Sequence, residues 1–275
     1  MKNLLKYLAP VLLAAFFFGG CGVTRILRSD DPELIYSKAL EFKDRQKWSR
    51  AVTMLESVEH YYVGSPREDS IMFYKAFCRY RDRDYDGAST ILDEFRRKFG
   101  RSVFIEDAEV MYALCFYYMS PGPTRDQTMT TRALQALGEF IVRYPQSTHV
   151  ESFGKVIDEL KERLCEKAYN NAYTYYKIGR YKSAIIALRN AIREFPDSHR
   201  REELMYLIVK SSQKLADNSI SEKQLDRYMA LLDSYYSFID EYPESSYRKE
   251  LEKAVKVAKD FIDKNGADNR TDIQE

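Results

Sequence analysis

Apolar and small residues recur along this chain on a fixed ruler. In "WSRAVTMLESVEHYY" from Trp48, "YDGASTILDEFRRKF" from Tyr85 and "YKSAIIALRNAIREF" from Tyr181, an aromatic residue is followed by Ala three positions on and by Leu four after that. A second aromatic closes each copy eleven residues after the Ala. Ala51, Leu55 and Tyr62 thus align with Ala88, Leu92 and Phe99, and with Ala184, Leu188 and Phe195. A fourth copy has Thr130, Ala133, Leu137 and Tyr144, and a fifth has Tyr228, Leu231, Tyr235 and Tyr242. Offsets of three, four and seven place these residues on one helix face. Alanine at a repeated buried position lets a second helix approach closely. Pro145, Pro196 and Pro243 follow the closing aromatic in three copies and stop the helix there. The Ser and Thr residues of "YPQST", "FPDSH" and "YPESS" are candidates to cap the next helix.

A partner helix precedes each copy. Ala39, Ala76 and Ala172 lie twelve residues before Ala51, Ala88 and Ala184. With Ala191 and Pro196 this spacing resembles the tetratricopeptide repeat (TPR) over about residues 32–263. The repeated Ala or Leu at 51, 88, 133, 184 and 231 is spaced unevenly. "SPGPTRDQ" and "ADNSISEK" read as insertions between the helices of copies three and five. From Ser147 to Ile178 the only breaker is Gly154, which predicts one helix of about 30 residues. Ser246 to Lys264 reads as a closing helix whose polar face ends the array. The expected fold is therefore all-α: an irregular TPR-like α-solenoid of about five helix pairs with a C-terminal capping helix. Its segments would be 32–147 (repeats one to three), 148–264 (the long helix, repeats four and five, and the cap) and a polar tail, 265–275.

The opening does not follow the ruler. Lys2 and Lys6 precede an apolar run from Tyr7 to Phe18, and "GGC" ends it at Cys21. The run is short for a membrane span and fits a secretory signal. It resembles a bacterial lipobox, with Phe18 where that family usually has Leu. That resemblance implies cleavage after a signal peptide (1–20), lipid on Cys21, palmitate included, and a linker over 21–31. Gly22 is not the acidic residue associated with inner-membrane retention, and no acidic cluster follows to suggest surface export.

Composition adds mainly exclusions. There are 43 basic and 42 acidic residues, so removing Lys2 and Lys6 changes the net charge only from +1 to −1, with no global pull toward nucleic acid. Cys78, Cys115 and Cys165 have no metal-site or disulfide-framework spacing and sit among apolar neighbours as buried thiols. Cys78 and Cys115 fall at about the same place on successive first helices, roughly 10 Å apart, beyond disulfide reach. His60, His149 and His199 are far apart in sequence and are expected to face solvent. No phosphate loop, nucleophile elbow or His-x-x-x-His pair is present. The chain therefore reads as non-enzymatic, with no metal and no cofactor apart from the lipid on Cys21.

The 22 Tyr and 15 Phe point instead to recognition. In TPR proteins positions 2, 5, 9 and 12 of the first helix line the concave face, and the last three carry the aromatics of this chain. Here they would be Tyr36 and Leu40 in repeat one, Phe73, Phe77 and Tyr80 in repeat two, and Tyr169, Tyr173 and Tyr176 in repeat four. Rings in such a row suit apolar or aromatic peptide segments. The Lys and Asn pattern that holds C-terminal carboxylates in some TPR proteins is represented only by Lys43.

Cys21, the repeat ends "RYPQS", "EFPDS" and "EYPES", and the "YKSAIIALRNAI" helix together resemble the lipoprotein D-subunit (BamD) family of the outer-membrane β-barrel assembly machinery. The resemblance implies a scaffold on the periplasmic face of the outer membrane. Its front repeats would meet unfolded barrel proteins, and its rear half, about 181–250, would dock the periplasmic domains of the barrel-forming subunit. No small-molecule substrate is implied. The alternative is a TPR lipoprotein of another envelope process, such as nutrient uptake or cell-wall complex assembly.

Overall fold

The computed structural model describes Thr24 and residues 26–265. The expected signal peptide, Cys21 and residues 266–275 of the tail lie outside the described residues. The helices are α1 (Pro32–Asp44), α2 (Trp48–Val58), which continues as a 3₁₀ turn (Glu59–Tyr62), α3 (Glu68–Arg81), α4 (Tyr85–Lys98), α5 (Ile105–Met119), α6 (Thr128–Arg143), α7 (Val150–Lys177), α8 (Tyr181–Glu194), α9 (Arg201–Asp217), α10 (Ser221–Glu241) and α11 (Arg248–Asn265). Among the described residues there is no strand. The fold class is all-α and TPR-like, with five successive helix pairs and a final helix, as expected.

The helices fall into two compact units, with the boundary between Gly154 and Lys155 in α7; residues 122–126 belong to the second unit. In the first unit each helix from α1 to α6 packs on the next. In the second, α8 packs on α9, α9 on α10, and α10 on α11. The predicted long helix is α7, whose 28 residues give a length of about 42 Å.

The repeat ruler is the core. Ala39, Ala51, Ala76, Ala88, Ala133, Ala172 and Ala184 are fully buried, as are Leu55, Leu92, Leu137, Leu188 and Leu231. In the fifth copy Leu231 stands where the others have Ala. There Ala216 of α9 and Ala258 of α11 share its cluster and supply the small side chains. One charge enters the core of the first unit. Glu109 of α5 is buried and held by Arg143 of α6 and by Arg96 of α4, the latter at 2.6 Å.

Two turns recur. Within pairs, α1, α3 and α7 end on a residue at positive φ: Gln46 at 57°, Arg83 at 65° and Gly179 at 75°. The next residue's N–H reaches back to Phe42, Arg79 or Tyr175 at 2.8–2.9 Å, the Schellman closure that satisfies otherwise orphaned carbonyls. Between pairs, the closing aromatics Phe99, Tyr144, Phe195 and Tyr242 are C-caps with φ of −119°, −124°, −127° and −128°. Three of them precede proline, which disfavours the helical conformation for the preceding residue.

The serines of these turns act differently from expectation. Ser65, Ser102, Ser147, Ser198 and Ser245 each lie three residues after the closing aromatic. Each N–H donates to that aromatic's carbonyl, and each Oγ accepts the N–H two residues ahead, at 3.1–3.3 Å. For α3, α5 and α9 the N-caps are Arg67, Phe104 and Arg200, none of which caps with its side chain. The serine therefore fixes the turn ahead of the helix rather than the helix end itself.

Three further expectations change. The "ADNSISEK" insertion is no long loop: α9 and α10 lengthen to 17 and 21 residues, and only 218–220 join them. His60 and His199 are exposed, but His149 is half-buried with its ring 5.9 Å from Phe153. The closing helix takes in Asn265, the first residue assigned to the tail.

Cys78, Cys115 and Cys165 are free and buried. Burial pushes the Cys78 and Cys115 thiols up from 9.0 to about 12. The folded state therefore keeps protons that the unfolded chain releases above pH 9, so these thiols' contribution to stability is complete below pH 9 and is lost as pH rises toward 12. Urea titrations at pH 8 and pH 10.5 should show a lower midpoint at the higher pH, with a smaller loss in Cys115→Ala. A left-handed residue other than glycine costs roughly 1–2 kcal/mol, against a smaller entropic cost for glycine. Arg83→Gly should accordingly raise the urea midpoint, and Gly179→Ala, which has open space around the added methyl, should lower the unfolding free energy by about 1 kcal/mol.

Candidate partner-binding surface

The first helices α3 and α7 each present a row of rings, α1 adds Tyr36, and burial divides these rings by position. At position 5, Tyr36, Phe73 and Tyr169 are only 9%, 7% and 8% exposed. This corrects the expectation that they line an open groove: they belong to the core. At positions 9 and 12, Phe77, Tyr80, Tyr173 and Tyr176 are half-buried, each with part of its ring on the surface.

The two buried tyrosines are each held by the next first helix, 34 residues on. Tyr36 Oη lies 3.4 Å from Ser70 Oγ, and Tyr169 Oη donates to Glu203 at 2.7 Å. The Arg67 guanidinium lies over Tyr36 at 5.5 Å and pairs with Glu33. Arg200 lies over Tyr169 at 4.6 Å, pairs with Glu166 at 2.6 Å and with Glu203 at 2.6 Å. Glu33, Tyr36, Arg67 and Ser70 match Glu166, Tyr169, Arg200 and Glu203 at a constant offset of 133 residues, as do Ala39 and Ala172, Ala51 and Ala184, and Ser65 and Ser198. The first pair of each unit is therefore built to one plan. Burial, and then Glu203 accepting its proton, pushes the Tyr169 hydroxyl up from 10.0. Burial, and then Tyr118, does the same for Tyr80. Both rings stay neutral.

In the first unit the half-exposed rings form two groups. Phe77 meets Trp48 edge-on at 5.8 Å and stacks beside Phe73 at 6.4 Å, with Arg81 5.3 Å above Trp48. Tyr80 meets Tyr85 at 5.6 Å and Tyr118 at 6.2 Å, and Tyr85 and Tyr118 stack at 4.9 Å. Phe73 turns inward and stacks on Phe104 at 4.5 Å. In the second unit the rings of α7 form a ladder. Tyr169, Tyr173 and Tyr176 lie 5.7 and 6.0 Å apart, nearly parallel at 14° and 16°. Tyr181 closes the ladder edge-on at 5.8 Å. Sequence reasoning did not select Trp48, Tyr85, Tyr118 or Tyr181. The signal was available for three of them, since Trp48, Tyr85 and Tyr181 are the leading aromatics of the ruler itself.

These faces hold no nucleophile paired with a base. They offer apolar planes rimmed by fixed cations, a surface suited to gripping side chains from another chain.

The chain matches the family described as "YfiO: Outer membrane lipoprotein" over residues 28–172 and 166–265. The chain belongs to the YfiO family of outer membrane lipoproteins. Within it, the chain is 27% identical over 206 residues to the outer membrane protein assembly factor BamD of Caulobacter vibrioides, covering 73% of this chain and 68% of that protein. It is 20% identical over 227 residues to the same-named protein of Rickettsia prowazekii, covering 80% and 89%. A solved structure, the TPR2AB-domain:pHSP90 complex of yeast Sti1, aligns over 83% of this chain and 98% of that one, at 12% identity and a TM-score of 0.39. Neither the YfiO description nor the BamD name denotes an enzyme. No helix among the described residues is long and apolar enough to cross a membrane.

The division by burial is measurable. Tyr169→Ala empties a core site and should cost about 3 kcal/mol in urea unfolding. Tyr176→Ala should cost about 1 kcal/mol or less, since its ring is half in water already.

Proposed function

We propose that this YfiO-family lipoprotein is a tethered scaffold of outer-membrane β-barrel assembly, held at the periplasmic face by lipid on Cys21. The observation that carries the reading is the set of half-exposed rings on the first helices of a chain whose relatives are named assembly factors. Phe77 and Tyr80, with Trp48 and Tyr118 beside them, take apolar and aromatic side chains of unfolded barrel proteins. The second unit, over about 181–250, docks the periplasmic domains of the barrel-forming subunit, and the Tyr173–Tyr176 ladder extends that contact. Tyr36, Phe73 and Tyr169 support these rows from beneath. The chemistry is recognition by burial of aromatic area, with no bond made or broken.

A photo-crosslinking amino acid at Phe77 or Tyr80 should trap newly exported barrel proteins in cells, and one at Tyr173 or Tyr176 should trap the barrel-forming subunit. A single common partner at both rows, or a polysaccharide-uptake protein recovered from solubilised outer membrane, overturns the reading. Phe77→Ala should weaken binding of a barrel-derived peptide by roughly tenfold, the effect of losing one interface anchor, with helicity unchanged. Labelled palmitate should enter the wild-type chain and not Cys21→Ala.

A further inference from the structure

The first unit has one edge where every inter-pair turn emerges. The turn after α2 lies beside the start of α1, because Tyr62 Oη donates to Glu33 at 3.1 Å and Arg67 pairs with the same carboxylate. The turn after α4 lies beside the start of α3 in the same way: Lys98 pairs with Glu68, and Ser102 Oγ donates to Asp69 at 2.7 Å. Arg143, the last residue of α6, pairs with Glu109 in the second turn of α5. The edge therefore collects the beginnings of α1, α3 and α5 and the ends of α2, α4 and α6. Gln46 and Arg83 mark the opposite edge.

Exposed apolar side chains concentrate on this edge. Among the described residues of the unit, six large hydrophobic side chains are exposed: Leu34, Tyr61, Val63, Val103, Tyr118 and Val142. All but Tyr118 lie on it. Val103 is 88% exposed, Val142 83% and Val63 70%. Singly exposed apolar residues need no explanation, but here they recur in or beside three successive inter-pair turns of one edge, Val142 in the last turn of α6. The charges beside them are largely paired with each other, as Arg67–Glu33, Lys98–Glu68, Arg143–Glu109 and Lys75–Glu59 show. Arg101, Glu106 and Asp107 stand exposed beside them, so an approaching surface meets apolar tips among charges of both signs. A cleft of about 640 Å³ opens in the same edge, lined by Asp69, Lys98, Phe99, Gly100, Arg101 and Ser102.

The tether leads to the same edge. Helix α1 begins there at Pro32, eleven residues after Cys21, and this chain belongs to a lipoprotein family. We propose that this edge of the first unit rests on the phospholipid surface, with Val63, Val103 and Val142 dipping among the headgroups and the lipid on Cys21 supplying the affinity. Shallow valines are too weak to recruit a free protein, but a tether raises their effective concentration, so the contact orients the unit. The binding rows of α3 are then set at a fixed angle to the membrane. This inference rests on the tethered reading of Cys21.

The test uses the acylated full-length protein in phosphatidylethanolamine–phosphatidylglycerol vesicles containing brominated lipid. Single cysteines replace Val63, Val103 or Val142 on one edge, and Gln46 or Arg83 on the other, each labelled with an environment-sensitive dye. The expected result is a blue shift and bromine quenching at 63, 103 and 142, with neither at 46 and 83. Both should persist in high salt, because apolar contact drives them. A second preparation replaces the acyl anchor by a histidine tag at residue 22 on nickel-chelating lipid. Edge-specific quenching there alone keeps the contact and removes the acylation of Cys21; equal or absent quenching at the two edges in both preparations overturns the contact. A triple variant, V63D with V103D and V142D, should keep wild-type helicity and stay on the vesicles while a dye at position 61 loses its quenching. Unchanged quenching in that variant, or photo-crosslinks from Val103 to a protein in cells without lipid quenching, also overturns it.

Discussion

Each helix pair of the first four repeats closes on an alanine, and the rest of the molecule depends on that contact. Ala51, Ala88, Ala133 and Ala184 are fully buried, each with a leucine four residues later that is equally buried. A methyl group sets how near the partner helix can lie, and the leucine fills the space one turn on. Enlarging the alanine would overpack a core with no slack, at roughly 1–3 kcal/mol. In the last pair the requirement is met from the other side, because Leu231 shares its cluster with Ala216 and Ala258. What is conserved along the chain is the sum across the contact, small against large, more than the identity of either residue.

Close packing also determines which rings remain at the surface. A first helix must bury one face against its own second helix and against the next pair. Position 5 falls on that face, so Tyr36, Phe73 and Tyr169 are taken into the core, and the two tyrosines find partners for their hydroxyls 34 residues on. Positions 9 and 12 sit at the margin of the face. Rings there gain part of their burial from neighbours and leave part exposed. Tyr173 and Tyr176 stand as a nearly parallel stack for this reason. A partner that covers them meets planes already fixed by packing, so little side-chain entropy is lost on binding.

The turns set where the rows stand in each unit. The five serine turns hold the ends of second helices and the starts of first helices along one edge of each unit, through the same hydrogen bonds each time. A tether that joins this edge at α1 and apolar tips along it would make the edge a base. The ring rows on the helices between would then be presented at a set height. Recognition, anchoring and orientation would in this way be assigned to different parts of one repeating unit.

The ruler of Ala, Leu and closing aromatic was enough to place the helices, because helix periodicity and the need to bury a face act over a few residues. It placed the long helix α7 and the final helix α11 to within a few residues of their observed ends. Cys21 and the segment before it read as an address in the sequence and lie outside the described residues. The insertion before α10 was misread because nothing local in "ADNSISEK" tells a loop from two helices that each grow longer. The serines were misread by two residues because a turn and a cap use the same hydroxyl chemistry. The ring rows were only half legible. Sequence listed the aromatics at positions 5, 9 and 12 as equals, since all three share a face of an isolated helix. Only tertiary packing separated them, because burial depends on which neighbour covers each part of that face, and the neighbour lies 34 residues away.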